Sequence, residues 1–432
     1  MKRARAEIST LTKVSILLWT LLLAFRSFPA AAAPIHVPAD YSTIQAAINA
    51  ATDGDEVIVS PGTYTENIAF PDFPKRLVVR STDPTSPAVV AATIIDGNQS
   101  GPVVQFWAST PDFLQTLAGF TITNGWTDWG GGIAGGYNYV TIQHNIIRDN
   151  GALNKGGGLW GCSGLVEHNV ISGNRVEYYS GRGDAFGGGL AECNAVVQNN
   201  IITGNVAWAE GTGGPFYDPW YGSGGGLYAC NGTIRNNTIS DNMTGGGFWG
   251  GVGGGLSECN GQIRNCIIWG NSAIRGPQLY SCSQPSYSCI QDYASGGTGN
   301  IALDPRLNGF RLSSDSPCID AGGTVPLTLD FDGDMRPYDF VPEPRGDGSD
   351  FDIGADEAIY RGIATEPAAL DVCQRTGTNA DTQTLNIWAG GSHVSLAYAI
   401  ETTPTWLSVN PAGGSAHPLG ARNPHQIGRA HV

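Results

Sequence analysis

One short unit recurs along the middle of this 432-residue chain and constrains its fold more than any other feature. Each full copy starts with Gly-Gly-Gly-Leu and has a cysteine three residues after the leucine. The full copies start at Gly156, Gly187, Gly224 and Gly253, and a degenerate copy starts at Gly276. Units this short cannot bury an apolar face alone, so successive units must stack on one another.

Asparagines mark two further positions in each unit. The first row is Asn145, Asn169, Asn200 and Asn237, and the second row is Asn150, Asn174, Asn205, Asn242 and Asn271. Stacked coils place equivalent residues ~4.8 Å apart, so each amide can hydrogen-bond to the next one in its row. Asparagine also tolerates the left-handed conformation of a turn, and glycine fits corners where a Cβ would clash. These patterns predict an all-β fold, a parallel β-solenoid, over residues 34–303.

The start of this region carries a family resemblance. Residues 40–48 are similar to the N-terminal cap helix of secreted right-handed parallel β-helix proteins of the pectin-lyase-like superfamily, and residues 61–66 resemble their first corner. Ile44, Ala47 and Ile48 lie at helical spacing on one face. The resemblance implies a right-handed parallel β-helix with an N-terminal cap helix.

Two segments beyond the repeats resemble known modules. Residues 304–358 are similar to the choice-of-anchor Q module of bacterial surface and secreted proteins, which implies a C-terminal cap over an otherwise exposed sheet edge. Residues 362–415 alternate like an Ig-type sandwich, and residues 404–411 resemble the hallmark of BACON-type modules. Only the first strands of that module are recognisable, so we expect a truncated β-sandwich. Residues 416–432 lack periodicity and end in what resembles a translated sequencing adapter, so we expect a non-native tail.

The chain start and the charge balance bear on location and partners. Residues 1–33 combine early basic residues, a short apolar run and an Ala-x-Ala site, which predicts a signal peptide and a secreted or cell-surface protein. No membrane span is expected once it is removed. Lys and Arg number 23 against 38 Asp and Glu, a balance that argues against a nucleic-acid partner. We expect a monomer.

Nine cysteines in an exported chain raise the question of disulfides. One predicted row is Cys162, Cys193, Cys230, Cys259 and Cys282, and a second row places Cys266 and Cys289 where earlier coils have the first asparagine. Adjacent coils suit a stack of unbonded thiols and also suit at least one disulfide between coils, so both alternatives stay open. A single row of thiols does not make a tetrahedral metal site.

Insertions fall between the second asparagine and the next Gly-Gly-Gly, so we expect them to form one raised surface. The candidate ligand-binding residues in them are Trp126, Trp129, Tyr179, Trp208, Tyr217, Trp220, Tyr221 and Trp249. Flat rings beside carboxylates suit a sugar, which favours non-catalytic binding of a polysaccharide or oligosaccharide outside the cell, or surface adhesion, through these loops. The alternative is that the rings pack on one another in a structural spacer.

A polysaccharide-active enzyme is the other hypothesis. Asp184, Glu210 and Asp218 are candidates for general acid and base chemistry in glycoside hydrolysis. A lyase is less favoured, because it needs cations to neutralise a uronate, and no catalytic family motif is matched. His144 and His168 share one position in successive coils, which favours surface or turn packing over the alternative of a metal or proton-transfer site. No cofactor is expected. Asp330, Asp332 and Asp334 resemble part of a calcium loop, but its distal glutamate is missing, which favours a structural turn.

Overall fold

The structure, a computed structural model, is a parallel β-solenoid built from four parallel sheets. It describes residues 34–72, 75–107, 115–178, 183–209, 221–246, 250–294, 296–341 and 345–359, and the backbone of short strands beyond residue 360. The all-β solenoid predicted from the repeats is confirmed. In each full coil the chain passes through the four sheets in turn, in the order sheet 1, sheet 2, the ridge sheet and sheet 3.

Sheets 1 and 2 contain nine strands each. The strands of sheet 1 are Ile35–Val37, Glu56–Val59, Leu77–Ser81, Gln115–Ala118, Tyr139–Gln143, Ser163–Glu167, Val196–Gln198, Thr233–Arg235 and Gln262–Arg264. The strands of sheet 2 are Gly62–Thr65, Thr93–Asp96, Thr121–Thr123, Ile146–Arg148, Val170–Ser172, Ile201–Thr203, Thr238–Ser240, Ile267–Trp269 and Cys289–Ile290.

Sheet 3 and the ridge sheet contain eight and seven strands. The strands of sheet 3 are Ile68–Ala69, Val104–Gln105, Ile133–Ala134, Leu159–Trp160, Leu190–Ala191, Leu227–Tyr228, Leu256–Ser257 and Leu279–Tyr280. The strands of the ridge sheet are Trp126–Trp129, Gly151–Lys155, Arg175–Tyr178, Ala185–Phe186, Val206–Ala209, Gly222–Ser223 and Met243–Gly246.

Two short helices accompany the early coils, at Ile44–Ala50 and Pro87–Ala92. The first lies where the sequence predicts a helix. The side chain of Thr43 caps it by accepting the backbone N–H of Ala46, as N-cap threonines do. The carboxylate of Glu66 accepts the N–H groups of Ile44 and Gln45 at 2.9 and 3.0 Å, which ties the helix to the first corner.

Apolar rows fill the inside of the solenoid. In one coil Val197 of sheet 1, Ile202 of sheet 2 and Leu190 of sheet 3 are fully buried, and the coils above and below repeat the same positions. Each row therefore packs against identical or similar side chains one interstrand spacing away. This stacking provides the core that a single short coil cannot form.

The two asparagine rows form continuous hydrogen-bonded ladders, as predicted. Oδ1 of Asn200 accepts both the backbone and side-chain N–H of Asn169, and its own amide donates to Val166, Gln198 and Asn237. None of these asparagines adopts the left-handed conformation expected at the turns. In both rows the residue before each asparagine adopts it, namely His144, His168, Asn199 and Asn236 in the first row and Asp149, Gly173, Gly204, Asp241 and Gly270 in the second. Asn265, which precedes Cys266, continues the first row of left-handed corner residues.

The Gly-Gly-Gly corners need glycine for two reasons. The first glycine has a positive φ, for example +65° at Gly187, a conformation that a Cβ disfavours. A Cβ on the second glycine, Gly188, would lie 2.6 Å from the carbonyl oxygen of Gly225 in the next coil. The corner therefore brings two backbones into direct contact.

The predicted insertions rise from the corner between sheets 2 and 3 as the ridge sheet. The strand Gly151–Lys155 pairs through Gly151 and Ala152 with Arg175–Tyr178, but through Lys155 with Ala185–Phe186. The sheet therefore continues as two rows of paired strands. The outgoing ladder runs from Trp126 and Gly151 through Arg175–Tyr178 and Val206–Ala209 to Met243–Gly246, and the return ladder runs from Trp129 and Lys155 through Ala185–Phe186 to Gly222–Ser223. Small buried residues form a separate core inside the ridge: Ala152, Val176, Ala185, Ala207 and Ala209.

Residues 304–358 pack along the outer face of sheet 2, which differs from the predicted location over the open end of the solenoid. The amides of Asn265 and Asn199 donate to the carbonyl oxygens of Gly323 and Leu329 at 2.7 and 2.9 Å. His168 Nε2 donates to the carbonyl oxygen of Asp330 at 2.8 Å. The row of left-handed corner residues presents polar side chains on this flank, and backbone carbonyls of the segment accept hydrogen bonds from several of them. We call residues 304–358 the flank segment.

The flank segment has its own buried polar core. Arg336 and Glu357 are both fully buried and lie 3.2 Å apart. Burial raises the pKa of Glu357 to about 7 despite this arginine. It also raises the pKa of Asp330 to about 6. A hairpin, Leu307–Asn308 with Arg311–Leu312, precedes this core.

The backbone beyond residue 360 forms antiparallel pairs. Ile363–Glu366 pairs with Asn386–Ala389, Leu396–Ala399 pairs with Gly413–Ala416, and Arg429–His431 lies between Gln383–Thr384 and Ser408–Asn410. The sandwich, the tail and the predicted domain boundaries remain predictions. Among the described residues, neither helix has the length and apolar character needed to cross a membrane.

The cysteine rows are confirmed in part. Cys162, Cys193, Cys230, Cys259 and Cys282 follow leucines that pair in register, so they lie in successive coils. The eight cysteines described by the structure are thiols. The second predicted row is wrong. Ser288, whose hydroxyl accepts the N–H of Cys266 at 3.1 Å, occupies the asparagine position, and Cys289 pairs with Ile267.

Candidate ligand-binding strip

The structure describes five of the predicted site residues in the insertions. These are Trp126, Trp129, Trp208, Tyr221 and Asp184. The other candidates, Tyr179, Tyr217, Trp220, Trp249, Glu210 and Asp218, lie outside the described residues.

The four described aromatic residues do not share one surface. Trp126 and Trp208 lie on the outer face of the outgoing ladder. The guanidinium of Arg175 lies 5.6 Å from the ring centroid of Trp126. The ring of Trp208 covers Gly245, where an added Cβ would approach it to 2.3 Å. Because strand residues alternate between faces, the buried alanines of the ridge separate these rings from the return ladder.

Trp129 faces the opposite way, toward sheet 3, where it joins rings that the sequence analysis missed. It stacks on Trp160 with a centroid distance of 5.9 Å, and Tyr137 meets the same indole edge-on at 5.2 Å. Phe186 stacks on Tyr228 at 4.4 Å. Among these five rings, Trp129 and Tyr137 have the largest exposed fractions, 49% and 50%. We call Trp129, Tyr137, Trp160, Phe186, Tyr228 and Tyr280 the aromatic strip.

Register orders the strip along the solenoid. At the second position of successive sheet 3 strands stand Trp160, Ala191, Tyr228, Ser257 and Tyr280. Large rings therefore recur in every second coil, with a small residue between them. Two interstrand spacings correspond to about 10 Å.

Glu192 anchors one end of the strip. It occupies the left-handed corner after sheet 3, with φ of 54°. Its carboxylate accepts hydrogen bonds from Lys155 Nζ at 2.5 Å, from the Tyr137 hydroxyl at 2.5 Å and from Trp160 Nε1 at 3.1 Å. Partial burial opposes ionisation, but these donors hold its pKa below the ordinary value. Burial, together with this carboxylate, raises the pKa of Tyr137 to about 12.

Glu258 occupies the same corner two coils further on. Its carboxylate accepts the hydroxyl of Tyr228 at 3.2 Å. Burial, and then this carboxylate, raise the pKa of Tyr228. Ala229 stands at the corner of the intervening coil. Carboxylates therefore alternate with small residues at the edge of the strip. Each carboxylate lies in a coil whose sheet 3 strand carries a small residue in place of a ring.

Asp184 and Tyr221 lie at the ridge side of the strip. Asp184 Oδ1 accepts the backbone N–H of Tyr221 at 3.0 Å. Burial raises the pKa of Asp184. Burial, and then the charges of Asp184 and Glu258, raise the pKa of Tyr221, which places it near both carboxylates. Asp184 is thus the one predicted catalytic carboxylate that the described residues bring to the strip.

The rings and carboxylates of the strip that were not predicted as site residues nevertheless recur at fixed positions in the repeat. Aligning the units on Gly-Gly-Gly-Leu puts Trp160, Tyr228 and Tyr280 in one column. The next column holds Glu192 and Glu258. Loop length favours the insertions as the site, whereas Trp160, Tyr228 and Tyr280 stand on regular sheet 3 strands beside them.

Two of the three predicted calcium residues lie in one acidic cluster. Asp330 and Asp332 lie close to Asp356, with one oxygen of each within 4.8 Å of the others, and Asp334 is not part of this cluster. The two oxygens of Asp330 accept the N–H groups of Asp334 and Glu357 at 2.7 and 2.9 Å. Arg311 donates twice to Asp332, at 2.7 and 2.8 Å. These bonds tie the flank segment together, and calcium at the cluster stays a prediction.

His144 and His168 stack with ring centroids 4.8 Å apart, beneath the flank segment. Burial lowers the pKa of each ring to about 4. Both rings line a cavity of about 320 Å³ between sheet 2 and the flank segment, together with Phe310 and Phe331. The expected packing role fits this arrangement.

Comparison of the chain with protein-family models, curated proteins and solved structures finds no match. The resemblances to pectin-lyase-like, choice-of-anchor Q and BACON modules therefore remain predictions.

Proposed function

We propose that this protein binds an extended polysaccharide outside the cell, along the aromatic strip, and does not cleave it. The observation that carries the proposal is the alternation of rings and carboxylates along sheet 3. Sugars offer C–H faces that stack on aromatic rings and hydroxyl groups that hydrogen-bond to carboxylates. Extracellular location rests on the predicted signal peptide. Calcium at the acidic cluster has no part in the proposal.

Exposure favours binding over a purely structural spacer. Trp129 and Tyr137 leave about half of their surface open to solvent although each contacts the indole of Trp160. Open aromatic surface is unfavourable in water unless something covers it. A spacer would bury these rings in the ridge.

The ionisation of Glu192 favours binding over hydrolysis. A glycosidase needs one protonated carboxyl as general acid. Lys155 and Tyr137 hold Glu192 as a carboxylate, which suits a hydrogen-bond acceptor. Hydrolysis remains the alternative, with Asp184 as the general acid, because burial raises its pKa.

The two-coil repeat narrows the ligand class. In an extended β-1,4-linked chain each sugar is turned over relative to its neighbours, so the same face recurs at every second sugar. That repeat is close to two coil spacings, about 10 Å. The strip therefore favours a β-1,4-linked chain lying parallel to the solenoid axis, with Trp160, Tyr228 and Tyr280 under equivalent sugars.

The test is binding of the full chain to cellulose, xylan and chitin, with amylose as the α-linked comparison. We expect retention by at least one β-1,4-linked glycan and about two- to tenfold weaker binding for Trp160→Ala, since a ring contact is worth about 0.5–1.5 kcal/mol. Trp160→Phe should keep most of the affinity. Trp208→Ala, which removes a ring from the other face of the ridge, should bind like the wild type.

Two outcomes contradict the proposal. One is retention by none of the glycans. The other is equal loss in Trp160→Ala and Trp208→Ala when both variants melt at the wild-type temperature. Release of reducing sugar that disappears in Asp184→Asn would instead establish the hydrolase.

A further inference from the structure

Cys289 lies on the opposite side of sheet 2 from the position that sequence spacing predicts. It pairs with Ile267, while the following residue, Ile290, pairs with Ile268. Ile268 and Ile290 belong to the interior core, whereas Ile267 and Cys289 belong to a separate cluster. A shift of one residue turns a strand side chain to the other face. The thiol of Cys289 therefore points away from the solenoid core.

The side chain that meets Cys289 there is Cys318 of the flank segment. Both residues are fully buried, and they share a cluster with Ile267, Ala321 and Ile353. Burial and then the adjacent Cys289 raise the pKa of the Cys318 thiol, which places the two sulfur atoms close together, while the Cys289 thiol donates to the carbonyl oxygen of Leu303 at 3.2 Å. The backbone of Cys318 is fixed as well, because its carbonyl accepts the N–H of Ile353 at 3.0 Å. The pair thus joins the last strand of sheet 2 to a segment about 30 residues further along the chain.

The five-thiol row differs from this pair in what a bond would achieve. Its members, from Cys162 to Cys282, stand in coils that backbone ladders already hold together. A disulfide there would link parts that cannot separate without unfolding the solenoid. The described residues of the flank segment pair no strand with the solenoid. A covalent link there would restrain a part held by side-chain hydrogen bonds, packing and isolated backbone bonds such as that from the N–H of Gly354 to the carbonyl oxygen of Asn265 at 2.9 Å.

We propose that Cys289 and Cys318 form a disulfide that fastens the flank segment to the last coil. Two thiols are oxidised: an S–S bond forms between them, and the S–S bond of a small disulfide such as oxidised glutathione breaks. The two electrons and two protons pass to that reagent, which leaves as two thiols. The reaction takes place before the flank segment is fully packed, while the thiols can still be reached. The compartment required rests on the proposed export, but the chemistry can be tested without it.

The experiment refolds the reduced full chain in a glutathione redox buffer, blocks free thiols and maps the tryptic peptides without reduction. Trypsin places Cys318 alone in peptide 312–345 and places Cys289 with Cys282 in peptide 276–306. We expect these two peptides to be linked. The link should persist in Cys282→Ser and vanish in Cys289→Ser and in Cys318→Ser.

A stability measurement complements the map. Closing a loop of this size should raise the melting temperature by about 5 °C, an increment that dithiothreitol removes. The same reductant should leave Cys318→Ser unchanged. Full labelling of Cys289 and Cys318 in the oxidised wild type, after denaturation without reductant, would overturn the proposal. So would links confined to the five-thiol row. Neither readout involves a glycan, so the disulfide proposal can succeed or fail independently of saccharide binding.

Discussion

At the scale of single residues, the asparagine ladders show how strongly position determines what an amide contributes. Asn200 is fully buried and uses its side chain for five hydrogen bonds to neighbouring coils and to its own turn. A third ladder, Asn194, Asn231 and Asn260, lies at the surface and runs in the opposite direction: Asn231 Oδ1 accepts the backbone N–H of Asn260, in the following coil, at 2.8 Å. Water can replace the hydrogen bonds of the surface ladder but not those of the buried ladder.

Replacing Asn200 by alanine should therefore destabilise the solenoid strongly. The change leaves the N–H of Asn169 and the carbonyl of Val166 buried without those partners, and each such group costs about 1–3 kcal/mol. We expect the free energy of unfolding in urea to fall by about 2–5 kcal/mol. Asn231→Ala is the matched control and should lower it by less than about 1 kcal/mol. Equal losses in the two variants would show that burial does not set the difference.

At the scale of elements, the Gly-Gly-Gly corner determines how the ridge and sheet 3 meet. The middle glycine of each triplet contacts backbone both of the next coil and of the ridge. A Cβ on Gly188 would approach the carbonyl oxygen of Gly225 and the backbone nitrogen of Val206, each to 2.6 Å. The ridge consequently joins the solenoid through backbone contact, and the rings of the aromatic strip stand beside this junction.

Gly188→Ala should separate the coils at this corner. Backbone atoms cannot move aside like a flexible side chain, so we expect a loss of about 3 kcal/mol or more, at the upper end of what overpacking produces. Gly62→Ala is the control, because its φ is not in the left-handed region and its nearest neighbour would be a Tyr64 ring atom at 3.6 Å. Denaturant unfolding followed by tryptophan fluorescence measures both. A Gly188→Ala chain as stable as Gly62→Ala would contradict the packing described.

At the scale of the whole molecule, the contact between the solenoid and the flank segment combines titrating groups whose effects on stability oppose each other. The pKa of His144 and of His168 is lowered by burial from 6.5 to about 4, so the folded chain keeps both rings neutral while the unfolded chain takes up protons. Their contribution is complete above about pH 6.5 and is lost as the pH falls toward about 4. Asp330 and Glu357, with pKa values raised to about 6 and about 7, act the other way over the same range.

Removing one histidine should shift this balance. In His144→Asn the left-handed corner keeps a residue type found at the equivalent positions Asn199 and Asn236, so folding should persist. We expect its melting temperature to fall less than that of the wild type between pH 6.5 and pH 4.5, because one fewer group takes up a proton on unfolding. The two curves should run parallel above pH 7. A wild-type curve that falls no more steeply than the variant would contradict the assignment.

The solenoid was predictable because its signals recur in every coil, whereas the rings and carboxylates of the strip recur only in every second coil and give a weaker signal. Glycine and asparagine rows recur in each coil, so spacing alone places them correctly. Cys289 was misplaced because the last coil is shorter and a serine, Ser288, replaces the asparagine there. The path of the flank segment depends on which corner side chains need partners, and that appears only when His168 and Asn199 are seen on one surface.

The alternation along sheet 3 has a consequence for how this protein can change in length. Because Trp160, Tyr228 and Tyr280 occur in alternate coils, duplicating a single coil would put the two halves of the row out of phase. Duplicating two coils would preserve the phase and add one ring. Natural variants or designed relatives that keep the same recognition pattern should therefore gain or lose coils in pairs.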